Sequence, residues 1–278
     1  MIQAALATAT HRLGVSSPTP RLDAELLLAG VLGVARGRLL ALGDESLAPT
    51  AAAAFDAWLA RRAAGEPVAY LLGRRDFWTL TLAVNRDVLV PRPETELLVE
   101  LALSWLHGRP RPRILDLGTG SGAVGLALAA ERLDAVVDLV DSSAAALTVA
   151  EDNRQRLGLG NARTLAGDWF SALAGQRYDA ILSNPPYLAA DDPYLAAPEL
   201  GHEPRAALVA GPTGLEALAE IAACAPAHLL PGGLLALEHG AAQGTGVRQL
   251  LAGAGFGAVR TQKDLAGLER ATQGTRRD

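Results

Sequence analysis

From Pro110 onward the chain alternates short apolar runs with stretches of helical spacing, and this alternation limits the fold more than any other feature. RILDLG, VVDLVD, YDAILSN and LLALEHG each have the length and apolar character of a buried strand. Between them, residues 125–132 and 144–156 carry apolar residues at helical intervals. Such alternation predicts an α/β domain built on an open, mostly parallel sheet. Sheets of this kind bind ligands beyond the carboxyl ends of their strands, where the strand order reverses. The chemistry is therefore expected just after these runs.

Residues 1–75 read differently. Apolar residues recur at helical spacing over residues 2–13, 22–32 and 51–64, punctuated by Pro20, Pro49 and Gly65, which predicts a small helical bundle. This part carries a net charge of +2 against −7 for the remainder, a split that suggests a separate partner for the bundle. Around residues 77–90 the pattern turns to alternation, FWTLTLAV, NRD, then VLV, and reads as a hairpin turning at Asn85, Arg86 and Asp87. The expected organisation is a helical domain over 1–75, a hairpin linker over 76–90 and a catalytic domain over 91–278.

Composition narrows the classes. With 278 residues, 50% hydrophobic and 20% charged, the chain can bury a substantial core. It opens with no signal-like segment and contains no run of about 18 apolar residues, so the expectation is a soluble, cytoplasmic protein with no membrane partner. The net charge of −5 argues against a general nucleic-acid surface. The single cysteine, Cys224, excludes an internal disulfide and a cysteine-based zinc site; beside Ile221, Ala222 and Ala223 it is expected to be a small buried filler. No ligand cluster implies a metal. The polar tail from residue 273 to 278 is expected to fray.

The first strand runs into DLGTGSG, residues 116–122, and then a helix. Gly118, Gly120 and Gly122 let backbone approach a ligand closely, with Thr119 and Ser121 between them and free helix amides beyond. Gly118, Gly120 and Ala123 also fit a looser dinucleotide pattern, with Asp141 placed for a ribose. Charge separates the two ligands. Asp116 would repel a pyrophosphate but suits the ammonium of S-adenosylmethionine. Asp141 can take both ribose hydroxyls, Asp168 an adenine amino group, and Trp169 can cover the ring face. An N-cap role for Asp141 and core packing for Trp169 are the structural alternatives.

In ILSNPPYLAA the fourth strand should stop at Asn184, because the prolines that follow cannot join a ladder. A planar amide or aromatic amine is a poor nucleophile. If the Asn184 side-chain oxygen and the Pro185 carbonyl each accept one of its N–H bonds, its lone pair is aimed at an in-line methyl group. Pro186 stiffens the turn, and Tyr187 can pack on the planar group and favour a nearby sulfonium by about 1 kcal/mol. A purely structural double-proline turn would leave the pairing with DLGTGSG unexplained.

NPPY after a fourth strand, with DLGTGSG, resembles the class I S-adenosylmethionine-dependent methyltransferases that modify planar nitrogens. VLVPRPETELLVE at 88–100, GEPVAYLLGRRDFW at 65–78, RLDAELLLAGVLG at 21–33 and EPRAAL at 203–208 are similar to the release factor glutamine methyltransferase family over nearly the whole chain. That resemblance implies a five-helix N-terminal domain that docks the substrate, a β-hairpin, and a Rossmann-like seven-stranded methyltransferase sheet. It implies methylation of the glutamine in the Gly-Gly-Gln loop of class 1 peptide chain release factors, tuning translation termination, with S-adenosylhomocysteine as product and a monomeric enzyme. Residues 118–122, Asp141 and Trp169 would hold the cofactor, residues 184–187 the glutamine, residues 91–96 a wall of the site, and Leu89 a substrate contact. Arg92 paired with Glu94 or Glu96 fits that wall or a structural ion pair equally well. His202 stands where the family often has an aromatic and is expected to pack. The rivals are a nucleic-acid N-methyltransferase acting on a flipped base, which needs a base-reading surface, a dinucleotide-dependent dehydrogenase, which gives NPPY no role, and a non-catalytic binding protein.

Overall fold

The computed structural model describes residues 1–277, and the chain divides into two compact units. Met1–Arg74 forms the first together with Ala196–His202, and the second comprises residues 75–195 and 203 onward. Among the described residues no helix is long and apolar enough to cross a membrane.

The first unit holds α1 (Ile2–Leu13), α2 (Pro20–Leu32), α3 (Arg38–Ala41), α4 (Pro49–Ala63) and α5 (Val68–Leu72). Proline opens α2 and α4, where its missing N–H costs nothing, and Gly33 closes α2 in the left-handed conformation at φ 64°. Leu6, Leu13, Leu27, Leu28, Phe55 and Leu59 make its core. A buried arginine organises the polar side. Arg62, 3% exposed, donates to Asp23 at 2.7 Å and to Glu199 at 2.5 Å, while Ser17 and Thr19 also donate to Asp23. Glu199 thus ties the 196–202 segment to the helices. Pro198 adds to this, because a Cβ at Gly65 (φ 97°) would lie 2.7 Å from it. His202 Nε2 lies 3.3 Å from the Ala64 carbonyl, so it packs on α4's end.

From the last residue of the first unit the chain enters a hairpin, β1 (Arg74–Phe77) and β2 (Leu80–Ala83), which otherwise belongs to the second unit. Its turn is at Trp78 and Thr79, with Trp78 at φ 55°, rather than at residues 85–87. The expected hairpin over 76–90 is therefore corrected: Val88 and Val90 are buried but form no strand. After a 3-10 turn (Pro93–Thr95) come α6 (Glu96–Trp105), β3 (Arg113–Leu117), α7 (Ala123–Glu131), β4 (Val136–Asp141), α8 (Ala144–Arg156), β5 (Ala162–Ala166), β6 (Tyr178–Ser183) and β7 (Leu188–Ala189). The chain then runs through β8 (Val209–Gly211), α9 (Glu216–His228), β9 (Leu229–Glu238), α10 (Gly244–Gly253), β10 (Phe256–Lys263) and β11 (Glu269–Arg276).

Seven strands form one sheet in the order β10-β11-β9-β6-β3-β4-β5, parallel from β9 to β5, with β11 antiparallel to both neighbours. This is the open, mostly parallel α/β sheet that the alternation predicts, in the seven-stranded Rossmann-like form that the resemblance implies. Residues of β3 alternate between two cores: Ile114 packs with α6 and α7, Leu115 and Leu117 with α9 and α10. Strand order reverses between β3 and β6, so a crevice opens at their carboxyl ends.

Two composition-based expectations fail. Cys224 is exposed, because α9 turns Ile221, Ala222 and Ala225 inward and leaves Cys224 on the opposite face. The tail does not fray up to residue 276: Thr272 to Thr275 pair with β9 in β11, and Gln273 is buried; Asp278 lies outside the described residues.

Candidate active site

Beyond β3 the chain turns through Gly118, Gly120 and Gly122 at φ 67°, 55° and 87°, a region costly for side chains with a Cβ. The Thr119 amide donates to the Val140 carbonyl at 3.0 Å, tying the loop to β4. Under it, Asp116 Oδ2 accepts the Thr119 hydroxyl at 2.6 Å and the Gly125 amide at 2.9 Å. Burial pushes Asp116 up to about 6; those two hydrogen bonds oppose the rise and the charge of Asp141 adds to it. Gly125 is a functional position the sequence reading missed. A Cβ there would lie 2.0 Å from Leu139 Cδ2 and 3.0 Å from Asp116 Oδ2, so glycine lets α7 press onto the sheet. A glycine inside a run of good helix formers was the available signal.

Asp141 ends β4 and braces the loop from the other side. Its Oδ2 accepts the Gly120 amide and its Oδ1 the Ser143 amide, both at 2.9 Å. It does not cap α8: Ser143 does, accepting the Ala146 amide at 3.2 Å. Each Asp141 oxygen keeps a second lone pair, and the residue lines the crevice. The Gly167 amide donates to the Asp141 carbonyl at 3.1 Å, which brings Asp168 and Trp169 to the same rim. Trp169 has φ 43° and packs one side on the core while its ring approaches Gly118.

The opposite wall comes from β6. Ser183 is level with Leu117 on one side and Leu237 on the other, and its hydroxyl donates to the Leu117 carbonyl at 2.7 Å. Asn184 therefore emerges beside Gly118. Its Nδ2 donates to Thr95 Oγ1 at 3.2 Å, which leaves Oδ1 free of that contact. The 88–96 stretch is held by Glu203: this buried carboxylate accepts the Val90 amide at 3.2 Å and pairs with Arg92. The partner of Arg92 is thus Glu203, from EPRAAL, instead of Glu94 or Glu96; Glu96 accepts the Trp78 amide at 2.8 Å.

These segments enclose a cavity of about 220 Å³. Asp116, Gly118, Thr119, Gly120 and Ser121 line one side, Asp141, Asp168 and Trp169 the rim, and Asn184, Pro186, Thr95 and Leu89 the other. Gly122, Pro185 and Tyr187 stand behind this lining. The Tyr187 carbonyl accepts from Gln243 at 2.9 Å and its ring packs on the α9–α10 core, where burial, reinforced by Glu238, holds its hydroxyl protonated.

A glycine cradle, a carboxylate at the second strand end and an NPPY turn around one crevice define a Rossmann-like methyltransferase. Residues 94–214 match the methyltransferase small domain and residues 4–73 the PrmC N-terminal domain. The hMettl16 catalytic domain superimposes with a TM-score of 0.59 at 16% identity, over 79% of this chain and 82% of that one. A Thermus thermophilus 16S rRNA N2 G1207 methyltransferase, solved with AdoMet and guanosine, gives 0.56 at 23% identity, over 73% and 50%. Both share the fold.

Sequence relatives are far nearer. A release factor glutamine methyltransferase of Bordetella pertussis is 53% identical over 92% of this chain and 94% of its own; those of Pseudomonas aeruginosa and Escherichia coli are 50% and 46% identical, each over 93% of both chains. The chain belongs to the release factor glutamine methyltransferase family.

Proposed function

We propose that this enzyme methylates the side-chain amide nitrogen of the glutamine in the Gly-Gly-Gln motif of class 1 peptide chain release factors, tuning translation termination, with S-adenosylmethionine as donor. The observation that carries the reading is Asn184. It shares one cavity with the glycine loop, and its NH₂ is committed to Thr95, so its oxygen is the end available to an incoming N–H. The relatives named above support glutamine as the acceptor.

The residues present fit this cofactor. Three glycines leave a cradle that side chains would fill, Asp116 and Asp141 give it negative charge, and Trp169 offers a flat apolar face. When bound, the cofactor supplies an electrophilic methyl group on a sulfonium. Asp141 would hold the ribose hydroxyls with its remaining lone pairs, and Asp116 would lend its charge to the ammonium end. Asn184 Oδ1 and the Pro185 carbonyl would accept the two amide N–H bonds, which would leave the nitrogen lone pair pointing in line with the methyl group. Tyr187 and Pro186 hold the turn, and Leu89 meets the substrate. Residues 1–75 dock the body of the release factor, a role their net positive charge supports.

The test is transfer of labelled methyl from S-adenosylmethionine to intact release factor, to the factor with its loop glutamine replaced, and to duplex DNA. Label on the intact factor alone, lost with Asn184→Ala, is the expected result. Label on DNA would move the acceptor to a nucleobase, and no label anywhere would remove the catalytic assignment.

A further inference from the structure

β9 ends at Glu238, a carboxyl 2% exposed. The register explains where it lies. Ser183 is level with Leu237, so the next residues along the two parallel strands, Asn184 and Glu238, emerge side by side. Thr95 lies against both: its Oγ1 accepts from Asn184 Nδ2 at 3.2 Å, and its hydroxyl favours the ionised form of Glu238.

A hydroxyl has one proton to give. An ionised carboxyl only accepts, so beside it the Thr95 proton turns toward Glu238 and the Thr95 oxygen is left to accept from Asn184. The Asn184 amide is then left with one orientation, nitrogen toward Thr95 and oxygen toward the cavity. We infer that Glu238, acting through Thr95, is a positioning residue that sets which end of the Asn184 amide faces the methyl acceptor. This rests on the proposed role of Asn184 as an acceptor of N–H bonds.

The relay has a second state. A neutral Glu238 can donate to Thr95, Thr95 can then donate to the Asn184 oxygen, and the amide turns its NH₂ toward an acceptor that also presents N–H. Two donors face one another and binding in the reactive pose is lost. The groups around Glu238 are Arg270 on β11, Arg92 and Glu94 before α6, and Tyr187 after β6. Ser183 is spent on the Leu117 carbonyl and Glu96 on the Trp78 amide. The arginines favour the ionised form, whereas burial and Glu94 oppose it and place Glu238 at about 7. Its Oε2 has no hydrogen-bond partner, so little besides Thr95 and those charges holds it ionised.

The experiment compares wild type, Glu238→Gln, Thr95→Ser and Thr95→Val in methyl transfer to release factor across about pH 5.5–9, with S-adenosylhomocysteine binding by calorimetry and thermal melts alongside. Wild-type kcat should fall on the acid side of neutrality, and Glu238→Gln should lose that limb while binding the cofactor product normally. Thr95→Ser should keep the wild-type profile, whereas Thr95→Val should lose about tenfold to a hundredfold in kcat at unchanged cofactor affinity. An acid limb that survives in Glu238→Gln overturns the inference. So does equal activity of the serine and valine variants, or a loss in Thr95→Val matched by lost cofactor binding. Should the wild type methylate a nucleobase instead, the proposed substrate fails while the same variants still decide the relay on that acceptor.

Discussion

The two walls of the cavity each rest on a buried carboxyl, and the carboxyls differ in what surrounds them. Asp116 gives one oxygen to a hydroxyl and a backbone amide, both from the segment it supports. Glu238 is influenced by the Thr95 hydroxyl of another segment and leaves Oε2 without a partner. The Gly125 amide can only donate, so the carboxyl of the first wall has at least one partner of fixed polarity. A hydroxyl can give or take, so the second wall has a direction that its partners must set.

The largest effect expected from this comparison is on rate. Asn184→Ala removes the group the second wall orients and should lower kcat by about 10²- to 10³-fold while cofactor affinity stays within about twofold. Stopped-flow or single-turnover transfer with parallel calorimetry measures both; a matching loss of cofactor affinity would mean the walls are not separable. The next effect is on stability. Both carboxyls titrate higher in the fold, about 6 and about 7, than their ordinary 3.8 and 4.5. Between those limits the folded chain holds more protons than the unfolded one. Their stabilising contribution is therefore complete below about pH 4 and lost as pH rises through 6 and 7, a change on the order of a few kcal/mol. Denaturant melts of Asp116→Asn and Glu238→Gln should show a shallower slope than wild type over that window. An unchanged slope in both would mean that neither carboxyl is held neutral.

How much of this was readable depends on whether a feature is local in sequence. The glycine loop and the NPPY turn each lie within a few consecutive residues, and the strands before them are short apolar runs, so the fold and most of the lining were visible. Glu238 was hidden because its meaning comes from the β6–β9 register, which no local pattern encodes. Asp138 was hidden in the same way: in VVDLVD it looks like one polar break, yet it is fully buried beneath Arg163 and the Tyr178 hydroxyl. The hairpin was misplaced because Asn85 to Asp87 has turn composition, whereas the chain turns at a tryptophan with positive φ. The 196–202 segment joined the helical unit through Glu199 and Pro198, contacts set by residues far away in the chain.

The cradle can be tested by filling it. Gly125→Ala sets a methyl group against Leu139 and Asp116, and should cost about 1–3 kcal/mol of stability. Its consequence for function should be confined to the first wall: weaker cofactor binding with kcat at saturating cofactor retained. A fall in kcat with normal binding would show that the cradle also positions the acceptor.

The smallest expected effect separates the two carboxyls by pH alone. Asp116 neutralises as pH falls through about 6, and with it goes the negative charge that the proposed function assigns to the ammonium end of the cofactor. Binding a cation favours the ionised form, so the bound state keeps Asp116 charged to lower pH than the free state does. Cofactor affinity should then fall by about tenfold for each pH unit below 6, until the bound-state value is reached, and be flat above it. Glu238 does not line the cavity, so its titration near 7 should leave cofactor affinity untouched and appear in kcat. Calorimetric affinity that bends near 6, with a rate profile that bends nearer 7, is the expected pattern. Asp116→Asn should flatten only the first, and a single shared inflection in both measurements would mean that one carboxyl controls both walls.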